Sequence, residues 1–194
     1  MKIIGIIASP RKEGNTAWVV NTILDGAKDR GAETQSWYFS DLDIGPCRGC
    51  LCCHDGNRDR GCIIDDDMQE LYVAIEAADT IVLGTPVYMG QMSAQAKIIT
   101  DRLFAQISPR FSPYYKDKAA KKKMVLVFTQ GNPDPGMFGV YFDYTKHMFQ
   151  LLEFDVREVV VVAGMREKPA LEREDLPAVM KNIGSSLVLE RFRD

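Results

Sequence analysis

All five cysteines of this 194-residue chain lie between Cys47 and Cys62, in the stretch CRGCLCCHDGNRDRGC. Residues of this type at this spacing admit a metal centre, a reactive thiol pair or a disulfide. Three thiolates with two residues between each, Cys47, Cys50 and Cys53, can converge on one metal centre. Pro46, Gly49, Gly56 and Gly61 supply the turns such a loop needs. Zinc is served better by two separated ligand pairs, with His54 as a substitute. A reducing compartment disfavours disulfides. The cysteines alone leave the choice between metal ligands and redox thiols open.

Other chemistry-bearing groups are sparser. In DDDMQE, Asp65 to Glu70, the spacing of Asp67 and Glu70 fits a capping box at a helix start, where acidic residues also favour the helix dipole. KDKAAKKK, Lys116 to Lys123, reads as a solvated charge run, or as a docking surface for an anion. RFSPYY, Arg110 to Tyr115, reads as local packing, a subunit contact or a lid. His147, on an aromatic-rich helix, reads as a packing residue. No Ser/His/Asp set can be assembled, so hydrolysis has no support.

Positioning these residues falls to alternating strand-length and helix-length segments, the pattern of a parallel sheet wrapped by helices. Strands are expected at Lys2 to Ala8, Thr34 to Phe39, Thr80 to Gly84, Lys123 to Thr129 and Val156 to Ala163. Their near-continuous Ile/Val/Leu content suits strands covered on both faces. Helices are expected at Thr16 to Arg30, Asp67 to Ala77, Met92 to Leu103, Phe138 to Leu152 and Asp175 to Glu190. This predicts an α/β three-layer sandwich with a five-stranded parallel sheet in the flavodoxin-like order 2-1-3-4-5, whose ligands sit at the carboxyl ends of strands near the switch point. One domain over 1–194 is expected, with a cysteine-rich loop at 46–66 and an inserted loop near 105–122. The opening MKIIGIIASPRK is too short and broken for a signal or membrane segment, so a cytoplasmic location is expected. The net charge of -3 and pI near 5.5 give no basic footprint for nucleic acid.

Three strand-end loops carry ligand-binding chemistry. SPRKEGNT, Ser9 to Thr16, offers Ser9, Arg11, Asn15 and Thr16 beside helix N-terminal amides that favour a phosphate; its bland reading is a turn capped by Asn15 or Thr16. It matches neither the dinucleotide glycine motif nor the triphosphatase loop. GTPVYMGQMS, Gly84 to Ser93, has Pro86 ending the strand and exposes the backbone of Val87, Tyr88, Met89 and Gly90 to a planar ring, or is simply a sharp turn. TQGNPDPG, with Thr129, Gln130 and Gly131, is a fixed loop placed to wall the far side of such a ring.

Together, SPRKEGNT, the cysteine stretch followed by IIDDDMQE, and GTPVYMGQMSAQAKIITDR resemble the iron-sulfur flavoprotein group of the NADPH-dependent FMN reductase family. The resemblance is specific over residues 1 to 102 and afterwards rests on element order and the TQG loop. It implies a flavodoxin-like fold and a homo-oligomer, with FMN phosphate on Ser9, Arg11, Asn15 and Thr16 and the ring against Pro86 to Gly90. It also implies a [4Fe-4S] cluster on Cys47, Cys50, Cys53 and Cys62, although the eight residues between Cys53 and Cys62 exceed the compact pattern. The function so implied is electron transfer between a reduced donor, such as a ferredoxin-like protein, and a small-molecule acceptor. Without a cluster, it is an NAD(P)H-dependent reductase of flavin, quinone or nitro compounds. A flavin-free regulatory or metal-storage module on the same fold is the remaining alternative.

Overall fold

A computed structural model describes residues 1–54, 61–107 and 122–189. Strands β1 (Lys2–Ile7), β2 (Glu33–Tyr38), β3 (Thr80–Tyr88), β5 (Lys123–Thr129) and β6 (Asp155–Val162) form a parallel sheet in the order β2-β1-β3-β5-β6. Counted as five parallel strands, this is the expected order. The difference is a short extra strand, β4 (Gln91–Met92), which folds back antiparallel on the end of β3. The α-helices among the described residues are α1 (Asn15–Lys28), α2 (Met68–Ala77), α3 (Ala94–Arg102), α4 (Phe104–Ile107), α5 (Gly139–Leu151) and α6 (Leu176–Leu189).

The strands are apolar on both faces because both are covered. Ile3 and Ile7 of β1, with Val82, Val125 and Val127, pack under α1 and α6. Ile4 and Ile6, with Ile81, Leu83, Leu126 and Phe128, pack under α2, α3 and α5. Gly5 and Gly84 occupy the α1 face of adjacent strands, and a Cβ at either would press within 2.4–2.8 Å of Val20 or Leu24 carbons. Glycine therefore lets α1 lie directly on the sheet.

Four expectations are corrected. β3 does not stop at Gly84 but continues through Pro86 to Tyr88. Pairing with β1 ends at Ile7 and Gly84, so Pro86 has a partner only on the β5 side, where it faces Thr129, and its missing N–H costs no ladder bond. Neither Asn15 nor Thr16 caps α1; Gly14 holds that position without a side-chain cap. Asp67 makes no side-chain cap for α2 either. Its Oδ2 accepts from Asp43 N–H at 2.7 Å, while the neighbouring Asp66 Oδ1 accepts from Met68 N–H at 3.2 Å. His147 is exposed on α5 rather than packed. The segment Arg110 to Tyr115, Gly56 and the lysines at 116, 118 and 121 lie outside the described residues. The run's end is ordered differently from a free charged face, since Lys122 Nζ donates to Glu76 O and Ala78 O at the end of α2.

Candidate functional site

The carboxyl ends of β1, β3 and β5 open on a cavity of about 500 Å³. Its lining includes Ser9, Arg11, Asn15, Thr16, Pro86, Val87, Tyr88, Thr129, Gln130 and Gly131, so the structure brings the three predicted loops to one place. Met89 and Gly90 are not part of it. They fill the two positive-φ positions, 49° and 79°, of the two-residue turn joining β3 to β4, the geometry of a type I′ hairpin. Met89 is fully exposed there, and Gly90 backs onto the Phe138 ring.

Each polar group of the cavity is fixed by its element. Thr16, in the first turn of α1, shares a 2.7 Å hydrogen bond with Thr129 at the end of β5, and both are buried. Ser9 Oγ accepts from Arg11 N–H at 3.2 Å, bending the loop under the helix N-terminus. Asn15 Oδ1 is spent on Ala170 N–H at 2.8 Å, pinning the segment after β6. That segment adds Met165, Arg166 and Pro169 to the lining, contacts the sequence reading did not find. Gln130 is 2% exposed. Its Nε2 donates to Asn132 O and Asp134 O, while its Oε1 is buried without a hydrogen-bond partner. A buried acceptor in that state costs about 1–3 kcal/mol, which a bound donor would remove. Helix amides without a side-chain cap, hydroxyls and a buried acceptor around one cavity fit a phosphate-bearing planar ligand such as FMN.

Behind the cavity, Ser93 ties the switch point together. It caps α3 by accepting from Ala96 N–H, and its hydroxyl donates to Ala8 O at 2.7 Å. Thr85 Oγ1 accepts from Ser93 N–H at 3.0 Å.

On the other side of the β3–β4 hairpin lies a second cavity of about 740 Å³, lined by Cys47, Cys50, Cys53 and Cys62 and by Met92, Phe104, Tyr141 and Met148 among others. All five cysteines are thiols. The loop turns through left-handed residues at Gly49, Leu51 and Gly61. Burial pushes the Cys53 thiol up, and the nearby Cys62, Cys50 and Cys47 add to that. Cys50 is held down, first by the backbone of Cys52 and then by its thiol. Thiols are the donor type a [4Fe-4S] cubane takes. Among the described residues, however, no group of three or more His, Cys, Asp or Glu side chains stands close enough to hold a metal ion.

The stems of this loop meet at a buried cation that sequence reading missed. Arg102, 1% exposed at the end of α3, donates from Nη1 and Nη2 to the two carboxylate oxygens of Asp66 at 2.6 and 2.9 Å, and from Nη1 to Gly45 O at 2.9 Å. Burial pushes the Asp66 carboxyl up, but the Arg102 bonds and the N–H groups of Gly45 and Met68 outweigh it and hold the group below its usual range. Tyr72 donates to Arg102 O at 2.7 Å, and burial is the main cause pushing its hydroxyl up. Ala96, Ile99 and Arg102 share the buried face of α3. A charge in phase with apolar positions was the available signal, because it requires a buried partner.

Residues 1–166 match the family model described as NADPH-dependent FMN reductase. The chain is 44% identical over 102 residues to an iron-sulfur flavoprotein of Methanosarcina thermophila, covering 53% of this chain and 52% of that protein. It is 42% identical over 102 residues to an iron-sulfur flavoprotein of Methanocaldococcus jannaschii, covering 53% and 51%. The chain thus spans about half the length of the curated relatives it matches. In fold it is similar to an NAD(P)H:quinone oxidoreductase from Methanothermobacter marburgensis, with TM-score 0.74, 15% identity and 97% of each chain covered. It is also similar to a putative quinone reductase from Klebsiella pneumoniae, with TM-score 0.73, 17% identity and 96% and 85% covered. At those identities the likeness speaks for the fold.

Proposed function

The chain belongs to the NADPH-dependent FMN reductase family, and on that premise we propose that it is an FMN-dependent redox protein passing electrons from a reduced donor to a small acceptor. One observation carries the reading. The switch-point cavity gathers the phosphate-type loop, the β3 extension and the TQG loop on one chamber. Bound FMN supplies two-electron acceptance together with one-electron release.

The chain's own part is binding and orientation. The first turn of α1, with Ser9, Arg11, Asn15 and Thr16, holds the phosphate. Pro86, Val87 and Tyr88, with Thr129, Gln130 and Gly131, would hold the flavin ring. Met89 and Gly90 support this border through the hairpin without touching it. Cys47, Cys50, Cys53 and Cys62 would be the ligands of a [4Fe-4S] cluster; the likeness to iron-sulfur flavoproteins over 102 residues supports this reading, and the spacing of the thiols in the structure does not. The acceptor is a small molecule and the donor a ferredoxin-like protein or NAD(P)H, in a cytoplasmic homo-oligomer. Among the described residues no helix is long and apolar enough to cross a membrane.

The spacing of the thiols favours a second reading. In it the chain is an NAD(P)H-dependent reductase of flavin, quinone or nitro compounds, without a cluster. An anaerobic absorption spectrum with iron and sulfide analysis separates the two. Flavin bands over a broad, dithionite-bleachable absorption, with about four irons per chain, support the cluster protein. Flavin bands with no iron after reconstitution, and rapid bleaching by NADPH alone, support the reductase. Protein that takes up no FMN refutes both.

A further inference from the structure

Past the end of β6 the chain is knitted onto the TQG loop. Gln130 N–H donates to Val162 O at 2.9 Å, Met165 N–H to Gln130 O at 3.0 Å and Gly164 N–H to Asn132 O at 2.9 Å. Gly164, with a φ of 74°, opens a tight turn whose Glu167 and Lys168 N–H groups both donate to the Gly164 carbonyl. The far end is tied to α1 by the Ala170 N–H bond to Asn15 Oδ1. Arg166 stands on this braced turn and lines the switch-point cavity. Its Cβ lies 3.4 Å from the point where a Cβ on Gly131 would stand, so its stem rests against the wall formed by the TQG loop. The other charged residues of the lining, Arg11 and Glu13, both belong to the Ser9–Thr16 loop. Arg11 keeps its side chain beside Gly14, with Nε 3.8 Å from the Cβ point there, so the phosphate end has a cation of its own. Arg166 is exposed and, among the described residues, takes part in no ion pair.

We propose that Arg166 is a further cofactor-binding residue, whose guanidinium faces the bound flavin ring and stabilises the negative charge the ring carries once reduced. This rests on the reading of that cavity as the FMN site. A hydride equivalent from the reduced donor, two electrons and one proton, turns a neutral ring into an anion with its charge over N1 and the C2 carbonyl oxygen. A cation held beside the ring therefore favours the reduced form over the oxidised one, and that difference raises the potential. Arginine suits the position because it stays charged at every working pH and its weakly hydrated plane can both donate to an oxygen and lie against a ring. The braced turn has already ordered the backbone that carries it, so little further ordering accompanies binding.

The test compares the wild type with Arg166→Met, which keeps the stem, and Arg166→Lys, which keeps the charge. Lys168→Met, which removes an exposed cation of the same turn outside the cavity lining, is the control. Oxidised FMN and riboflavin are titrated by quenching of flavin fluorescence, and the two-electron potential of the bound flavin is read anaerobically against a reference dye. The affinity of the reduced form follows from the cycle linking the two. Sulfite, which adds at N5 and leaves the same negative charge on the ring, is a second probe that needs no reductant. Arg166→Met should leave oxidised FMN binding unchanged and weaken the reduced form about tenfold, the order expected of one partly solvated charge. That factor lowers the potential by about 30 mV for a two-electron couple. Sulfite binding should weaken by the same factor, and riboflavin should behave as FMN does. Arg166→Lys should recover most of the loss, and Lys168→Met should match the wild type. Equal loss of oxidised and reduced FMN affinity, with riboflavin unaffected, would put Arg166 on the phosphate and overturn the inference while leaving the FMN site standing. A potential and a sulfite affinity unmoved by Arg166→Met, or moved as far by Lys168→Met, would overturn it as well. A wild type that takes up no flavin overturns the FMN reading and the inference with it.

Discussion

Replacing Gly84 by alanine tests whether the approach of α1 to the sheet builds the ligand cavity. The new Cβ would stand 2.4 Å from Val20 Cγ2 and 3.0 Å from Thr16 Cγ2, against about 3.5–4.0 Å for an ordinary carbon contact. Val20 is fully buried, and a β-branched side chain in a helix has essentially one rotamer. The methyl cannot swing aside, so α1 must lift. Overpacking of this kind costs about 1–3 kcal/mol. Thr16 moves with the helix, its bond to Thr129 lengthens, and loss of about 1 kcal/mol there weakens FMN about fivefold. Val20→Ala alone should cost about 2 kcal/mol, from two lost methyl groups and the space they leave. In the double variant the 2.4 Å clash is gone, so the two effects should fall short of additivity by about 1–2 kcal/mol. Urea unfolding followed by circular dichroism gives the stabilities, and quenching of flavin fluorescence gives the affinities. Additivity within about 0.5 kcal/mol would refute the claim that close approach is why glycine stands here.

Other outcomes follow from single contacts. A Cβ on Gly184 would lie 1.8 Å from the backbone oxygen of Ile23, so Gly184→Ala should cost at least the upper part of the about 1–3 kcal/mol overpacking range, read as a lower urea midpoint. Thr129→Val keeps the shape but leaves the Thr16 hydroxyl buried and unpaired, a loss of about 1–3 kcal/mol; unchanged stability and FMN affinity would argue that the pair is idle. The depressed Asp66 carboxyl stabilises the fold fully above its unfolded pKa of about 3.9. That contribution disappears as pH falls through the lower folded value. The wild type's advantage over Asp66→Asn in urea midpoint should therefore be constant near neutrality and shrink below about pH 4; a pH-independent gap would show that charge plays no part.

The sheet was legible because its information is local: runs such as KIIGII and KMVLVFT name buried parallel strands by composition alone. Loops at strand ends were legible for the same reason, since topology sends Ser9, Pro86 and Thr129 to one edge. What escaped the reading depends on distant partners. Pro86 looks like a strand stop until β1 is seen to end opposite Gly84. Asp67 looks like a cap until Asp43 takes its carboxylate, and Arg102 looks like a polar helix end until Asp66 and Gly45 close on it. The role of Gly5 escaped as well, because nothing in the neighbouring residues announces a helix resting on it.

The β3–β4 hairpin has a consequence for how the two cavities behave together. Val87 and Tyr88 border the switch-point cavity, Gln91 and Met92 border the cavity with the thiols, and these residues are opposite members of the same two rungs. Any displacement of the ladder that widens one chamber alters the other. Linkage requires any coupling across this hairpin to be reciprocal, and titrating one ligand with and without the other measures it directly.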